Sequence, residues 1–281
     1  MCLASPLVSR YPKDANPSSY REPLANRTRT PSAHKPPTLR PEDTVEGVKA
    51  LVDKVTEFHK MYPSYPLPAS ICVYPNFAHV VKENRVSPEL HVTTVAGCFP
   101  SSQSFLEVKK MEVEMAIADG ADEVDIVLAL NAFLAGDDKT AGEEISEIKK
   151  ICAKHNVVLK VILETGILKT DELIHRASML AMEAGADFIK TSTGKVSVNA
   201  TPEAATVMCK AIKEYYEKTG RKVGFKAAGG VSNADEALQY YEIGQSILGD
   251  EWMNKELFRF GVSRLGNSLV SAIENTEVKF F

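Results

Sequence analysis

The chain has no excess of positive charge. Its 33 Lys and Arg stand against 37 Asp and Glu, a formal net charge of −4, and no Lys/Arg run reaches the length of a basic patch, so nucleic-acid binding is not expected. It has no C-x-x-C spacing either. Cys2, Cys72, Cys98, Cys152 and Cys209 are odd in number and scattered, which argues against a disulfide framework or a zinc knuckle and for reduced thiols in the cytosol. No apolar run approaches the roughly 20 residues that a membrane-crossing helix needs, so no membrane role is expected. The six histidines, His34, His59, His79, His91, His155 and His175, never take the spacing of a ligand pair, and no metal is expected. A G-x-G-x-x-G motif is also missing, which counts against an open, dinucleotide-binding sheet. What remains is ordinary for a globular protein: 281 residues, 44% of them apolar and 25% charged, enough for one large domain with a sizeable core.

Residues 1–37 differ from the rest. They hold seven of the 15 prolines, and Arg10, Lys13, Arg21, Arg27, Arg29 and Lys35 against only Asp14 and Glu22. With no periodic apolar pattern, this stretch is expected to be a flexible extension, and residues 38–281 a single domain. In that domain short β-rich runs recur: ICVYP (71–75), HVTTVAG (91–97), EVDIVL (123–128), VVLKVIL (157–163), FIKTST (188–193), VGFKAAGG (223–230) and LFRFGVS (257–263). After a first step of about 20 residues, the starts advance by roughly 31 to 35, the length of a strand, a crossover helix and two loops.

Helical patterns fill the gaps. TPEAATVMCKAIKEYYEKTG has Thr201 as N-cap, Pro202 in the first helical position, Met208, Ala211, Ile212 and Tyr215 on one face, and Gly220 as stop. DELIHRASMLAMEAG ends at Gly185 in the same way, and Val45, Val48, Val52, Val55 and Phe58 form a stripe on an earlier helix. Alternating strands and helices with this regularity predict a (β/α)8 TIM barrel. Its eighth strand has to come from residues 36–40, PPTLR.

Three of these strands carry a lysine where a buried side chain is expected. Burying an ammonium group is costly unless a carboxylate accompanies it, and Asp125 and Glu164 are the candidate partners. For Lys160 a structural ion pair is as good an explanation as a functional one. Lys190 and Lys226 differ, because each precedes a loop of small residues ending in glycine, KTSTG and KAAGG, at the carboxyl end of its strand, where barrel active sites form. On adjacent strands the two cations face one pocket, and one pushes the other toward the neutral amine that attacks carbonyls. That points to imine chemistry, with either lysine as nucleophile and Asp125 as proton shuttle. Glycine-rich AAGG (227–230), STG (192–194) and GVSR (261–264) converge on the same end of the barrel as a candidate phosphate cradle.

GADEVDIV, KVILETG, GADFIKTSTGK, NATPEA, GFKAAGG, EWMNKELFRFGVS and ICVYP, in this order apart from the last, which precedes them, resemble the 2-deoxyribose-5-phosphate aldolases, a family of class I aldolases on (β/α)8 barrels. The similarity runs from about residue 41 to 274. It implies cofactor-free, reversible cleavage of 2-deoxy-D-ribose 5-phosphate to D-glyceraldehyde 3-phosphate and acetaldehyde. It also implies Lys190 as the imine-forming residue, Lys226 as the cation beside it and Asp125 in the proton relay. Substrate or phosphate contacts are implied at Cys72, Thr193, Gly194, Gly229, Gly230 and Ser263, with Arg264 as further positive charge. A homodimer is expected by analogy with barrels that pair through their helices. The chain departs from the resemblance at Lys35, where many members carry an acid, at Ala227, where many carry proline, and at Ser232, where many carry arginine. These departures keep a rival open: an impaired barrel that binds a sugar phosphate or a protein partner.

Overall fold

The computed structural model describes residues 2–4, 39–261 and 265–279. Seven strands follow each other round a ring in chain order, all parallel: β2 (Ser70–Val73), β3 (His91–Val95), β4 (Glu123–Val127), β5 (Val158–Ile162), β6 (Phe188–Lys190), β7 (Gly224–Ala228) and β8 (Phe258–Gly261). Six of them lie within the runs that the sequence marks out, and β2 begins one residue before its run, at Ser70. The ring is closed by β1 (Cys2–Ala4), which lies antiparallel between β2 and β8.

This corrects the expectation for the eighth strand. Leu39 and Arg40 belong to no strand, and residues 36–38 lie outside the described residues. Pro36 and Pro37 have no N–H to give to a ladder, whereas Cys2 to Ala4 pair with β8 along Arg259 to Gly261 and with β2 at Ser70. The expectation of a flexible extension falls, for residues 5–37, outside the described residues. Residues 2–4 are part of the ring, and Cys2 is fully buried.

Helix α1 (Val45–Met61) precedes β2. The connections then carry α2 (Ala78–Asn84), α3 (Leu106–Ala118), α4 (Leu130–Leu134), α5 (Asp138–Lys154), α6 (Thr165–Leu168), α7 (Asp171–Glu183), α8 (Pro202–Thr219) and α9 (Ala234–Leu248), and α10 (Leu265–Glu274) follows β8. The ends of α8 are as expected: Thr201 Oγ1 accepts from the Ala204 N–H at 3.2 Å, and Gly220 takes the left-handed conformation at φ 70°. Such a cap is worth about 1 kcal/mol. On α1 the buried face is Val48, Leu51, Val52, Val55 and Phe58. Val45, expected on the same stripe, stands at the first helical position and is 48% exposed.

Strand alternation sorts the residues into two different interiors. Ile71, Val92, Val124, Ile126, Leu159, Val161, Ile189, Phe225, Phe258 and Phe260 point outward into an apolar core shared with the helices. Their neighbours point inward, and many of those are polar: Ser70, Thr93, Glu123, Asp125, Lys160, Lys190, Lys226 and Arg259 are all buried. The apolar layer between strands and helices therefore holds the fold together, and the axis of the ring is left to charge.

Candidate active site

Register decides which charges meet. Asp125 on β4 stands level with Lys160 on β5, and Lys190 on β6 level with Lys226 on β7, so side chains on the same face lie one strand spacing apart. The three lysines converge on the Asp125 carboxylate. Its Oδ1 accepts from Lys160 Nζ at 2.8 Å, and its Oδ2 accepts from both Lys190 Nζ and Lys226 Nζ, each at 2.8 Å. One carboxylate thus serves three buried ammonium groups, a pairing too thin to neutralise them.

The protonation states follow. Burial pushes the Asp125 carboxyl up, but Lys160, Lys190 and Lys226 together hold it well below the usual carboxylate range. At Lys190 burial, helped by the Lys226 cation, outweighs the attraction of Asp125, and the pKa falls. At Lys226 burial works the same way but Asp125 outweighs it, and the pKa rises. Residue patterns alone left the two lysines unranked. Their surroundings rank them: Lys190 is the one driven toward the neutral amine, and Lys226 is the lasting cation. Lys160 is fully buried against Asp125 and Glu123, which it meets at 2.6 Å. Cys72, half-buried on β2, has its thiol pushed up by burial and next by Asp125, so a protonated thiol borders the cluster.

Among the described residues Glu164 pairs with no lysine. Its backbone takes a left-handed conformation, φ 56° and ψ 58°, unusual for a residue with a Cβ, and this turns the carboxylate toward the loop after β6. There it accepts from the Thr193 N–H at 3.2 Å and from Thr193 Oγ1. Thr191 Oγ1 ties the same loop to β7 by donating to the Ala228 carbonyl at 3.0 Å and accepting from the Ala228 N–H at 2.9 Å. Between these two fixed points Ser192 Oγ is buried and has no hydrogen-bond partner among the described residues. Gly194, Gly229 and Gly230 follow at the carboxyl ends of β6 and β7, with φ 81°, 77° and 85°.

A family model described as "DeoC/LacD family aldolase" matches residues 31–263. The chain belongs to this family. A Caenorhabditis elegans protein named "Putative deoxyribose-phosphate aldolase" is 49% identical over 230 residues, which are 81% of this chain and 75% of that protein. A Toxoplasma gondii crystal structure of the same description superposes with a TM-score of 0.71 at 26% identity, covering 84% of this chain and 92% of the other. The deoxyribose phosphate aldolase of Aeropyrum pernix, described as tetrameric, shares the fold with a TM-score of 0.65 at 24% identity, over 83% of this chain and 86% of that one.

Within this aldolase the structure brings Lys190, Lys226, Asp125 and Cys72 together, and sets Thr193, Gly194, Gly229 and Gly230 on the loops just beyond them. Ser263 and Arg264 lie outside the described residues. Sequence reasoning reached Ser192 only as part of the STG run in the candidate cradle, and did not foresee Glu164 as the anchor of Thr193.

Gly229 is the most constrained of the loop glycines. Its φ is positive, and a Cβ there would come within 2.8 Å of Asn199 Cβ, Cγ and Oδ1. Gly229→Ala should therefore lower stability by about 1–3 kcal/mol and move the loop that is expected to cradle phosphate. Thermal melting and the KM for the sugar phosphate check this. An unchanged KM would remove Gly229 from the phosphate site.

Proposed function

We propose that this aldolase cleaves 2-deoxy-D-ribose 5-phosphate to D-glyceraldehyde 3-phosphate and acetaldehyde through an imine on Lys190. The observation that carries the proposal is the sharing of one carboxylate oxygen by Lys190 and Lys226, with only Lys190 displaced toward the neutral form. The neutral amine adds to the C1 aldehyde of the open-chain sugar, and loss of water leaves a protonated imine. A base then takes the proton of the C3 hydroxyl, C3 becomes the aldehyde carbon of glyceraldehyde 3-phosphate, and the electrons of the C2–C3 bond pass to the imine as an enamine. Protonation of the enamine at C2 and hydrolysis release acetaldehyde and regenerate the amine. Asp125 serves as the relay for these protons, directly or through a water, and Lys226 keeps positive charge beside the nucleophile throughout. No cofactor enters this cycle.

The sugar phosphate is held, in this proposal, by Thr193, Gly194, Gly229 and Gly230, with Ser192 as a further donor and Ser263 and Arg264 completing the cradle. The seven parallel βα units together with β1 act as a variant of the (β/α)8 barrel. The five free cysteines suit a reducing cytosol, and no helix among the described residues is long and apolar enough to cross a membrane. A homodimer belongs to the proposal by analogy. On α3, Val108, Met111 and Met115 are exposed, with Phe105 just before them, an apolar face that such pairing would cover.

Sodium borohydride added with acetaldehyde should reduce the imine to a stable secondary amine on Lys190, read as a mass increase on the peptide that carries it. An adduct on no lysine would favour the barrel that binds without catalysis. An adduct formed only with other aldehydes would favour a different substrate.

A further inference from the structure

Two residues below the catalytic layer, roughly 7 Å along the strands, the barrel holds a second ion cluster. Glu123 on β4 is fully buried and satisfied from four sides. Arg259 Nη1 donates to its Oε1 and Oε2 at 2.7 and 2.8 Å, Lys160 Nζ meets Oε2 at 2.6 Å, Thr93 Oγ1 donates to Oε2 at 2.8 Å, and His91 Nδ1 lies 2.8 Å from Oε1. Arg259 is itself held in place: its Nε donates to the Lys255 carbonyl at 2.5 Å and its guanidinium lies 5.0 Å above the Phe188 ring. A cleft of about 300 Å³ lined by His91, Arg259, Glu89 and Glu256 opens this end of the barrel to solvent, opposite the face where substrate enters.

Lys160 belongs to both clusters. It bridges Glu123 and Asp125, so an unbroken chain of contacts runs from His91 and Arg259 through Glu123, Lys160 and Asp125 to Lys190 and Lys226. Counting this chain without His91, two buried carboxylates face four buried cations: Lys160, Lys190, Lys226 and Arg259. A surplus of positive charge sealed in low dielectric is relieved by loss of one proton, and the member that loses it is the nucleophile.

We propose that Glu123 and Arg259 are positioning residues that govern the reactivity of Lys190 from the barrel floor, acting through Lys160 and Asp125 without touching substrate. The proposal rests on the reading of Lys190 as the imine-forming residue. Lys190 faces Asp125, Lys226 and Cys72, and Glu123 faces Lys160, Arg259 and His91, so each floor substitution changes the charge of one connected system by a known sign. Removing negative charge favours the neutral amine, and removing positive charge disfavours it.

The test is the acid limb of kcat/KM against pH, which reports formation of the neutral amine in the free enzyme. For a unit charge about 10 Å away at an effective dielectric of about 20, the limb should move by about one pH unit. Glu123→Gln should move it to lower pH, Arg259→Gln to higher pH, and the double variant, in which the changes cancel, back to the wild-type position. Opposite shifts from two substitutions in one cluster are not what loss of structure produces. Since either single change can cost the fold, half-exposed His91 gives a second route: His91→Lys should move the limb down by a few tenths of a unit relative to His91→Gln. A limb that stays put in every variant that folds overturns the proposal. Failure of borohydride to label Lys190 in the wild type would instead overturn the imine reading beneath it.

Discussion

Lys190→Ala should fold like the wild type and leave 2-deoxyribose 5-phosphate essentially uncleaved, with the rate down by on the order of 10⁴-fold or more. The size of the loss follows from the proposed role: without the Lys190 amine no imine forms there to accept the electrons of the breaking bond. The intact fold follows from the charge count. Lys190 is one of three cations on a single carboxylate, and its removal leaves Asp125 still paired with Lys160 and Lys226 while relieving surplus positive charge. We therefore expect thermal stability within about 1 kcal/mol of the wild type, and a gain would fit the general cost of active-site residues to stability. A folded Lys190→Ala protein that still turns over substrate at a measurable fraction of the wild-type rate would assign the nucleophile elsewhere, with Lys226 the first alternative.

The sequence made this prediction available because parallel strands buried on both faces are hard to disguise. Each of the seven runs rich in Val, Ile and Phe matches one of β2 to β8 to within a residue or two at its start, and a lysine in such a run is conspicuous. The partner set was less legible. Asp125 is flanked by apolar residues and stood out, whereas Glu123, two positions earlier and on the same face, reads as the polar start of a strand. Strand parity carried the missing signal: Glu123 and Asp125 share it on β4, and Arg259 has it between Phe258 and Phe260. Glu164 misled for a different reason. It follows β5 directly and continues the inward parity of Lys160, but its left-handed backbone breaks the alternation and aims the carboxylate at Thr193, and no local pattern announces such a residue. β1 was illegible in principle. Three residues, Cys2 to Ala4, carry no periodicity, and their place between β2 and β8 is a property of the whole ring.

Asp125→Asn should separate the two halves of the proposed chemistry. The substitution keeps the shape and removes the charge, leaving Lys160, Lys190 and Lys226 without the counter-ion they share. Removing one partner from a buried ion cluster costs about 3–5 kcal/mol, so a lowered melting temperature is expected, and its pH dependence has a defined sign. In the wild type the Asp125 carboxyl lies well below its ordinary range in the folded state, so its contribution is complete above about pH 4 and is lost as pH falls through the folded value. In the variant the stranded lysines bind protons less readily folded than unfolded, so the unfolded state holds more protons and stability rises with pH toward 10. The deficit against wild type should therefore be largest near neutrality and shrink in alkali. With no carboxylate holding its ammonium form, Lys190 becomes more readily a free amine, and borohydride should still label it in the presence of acetaldehyde. Carbon–carbon cleavage, which needs the proton relay, should fall by about 10²–10⁴-fold. Labelling without turnover is the expected signature; a folded Asp125→Asn protein that cleaves substrate at the wild-type rate, or that cannot be labelled at all, would show that Asp125 does not divide the work in this way.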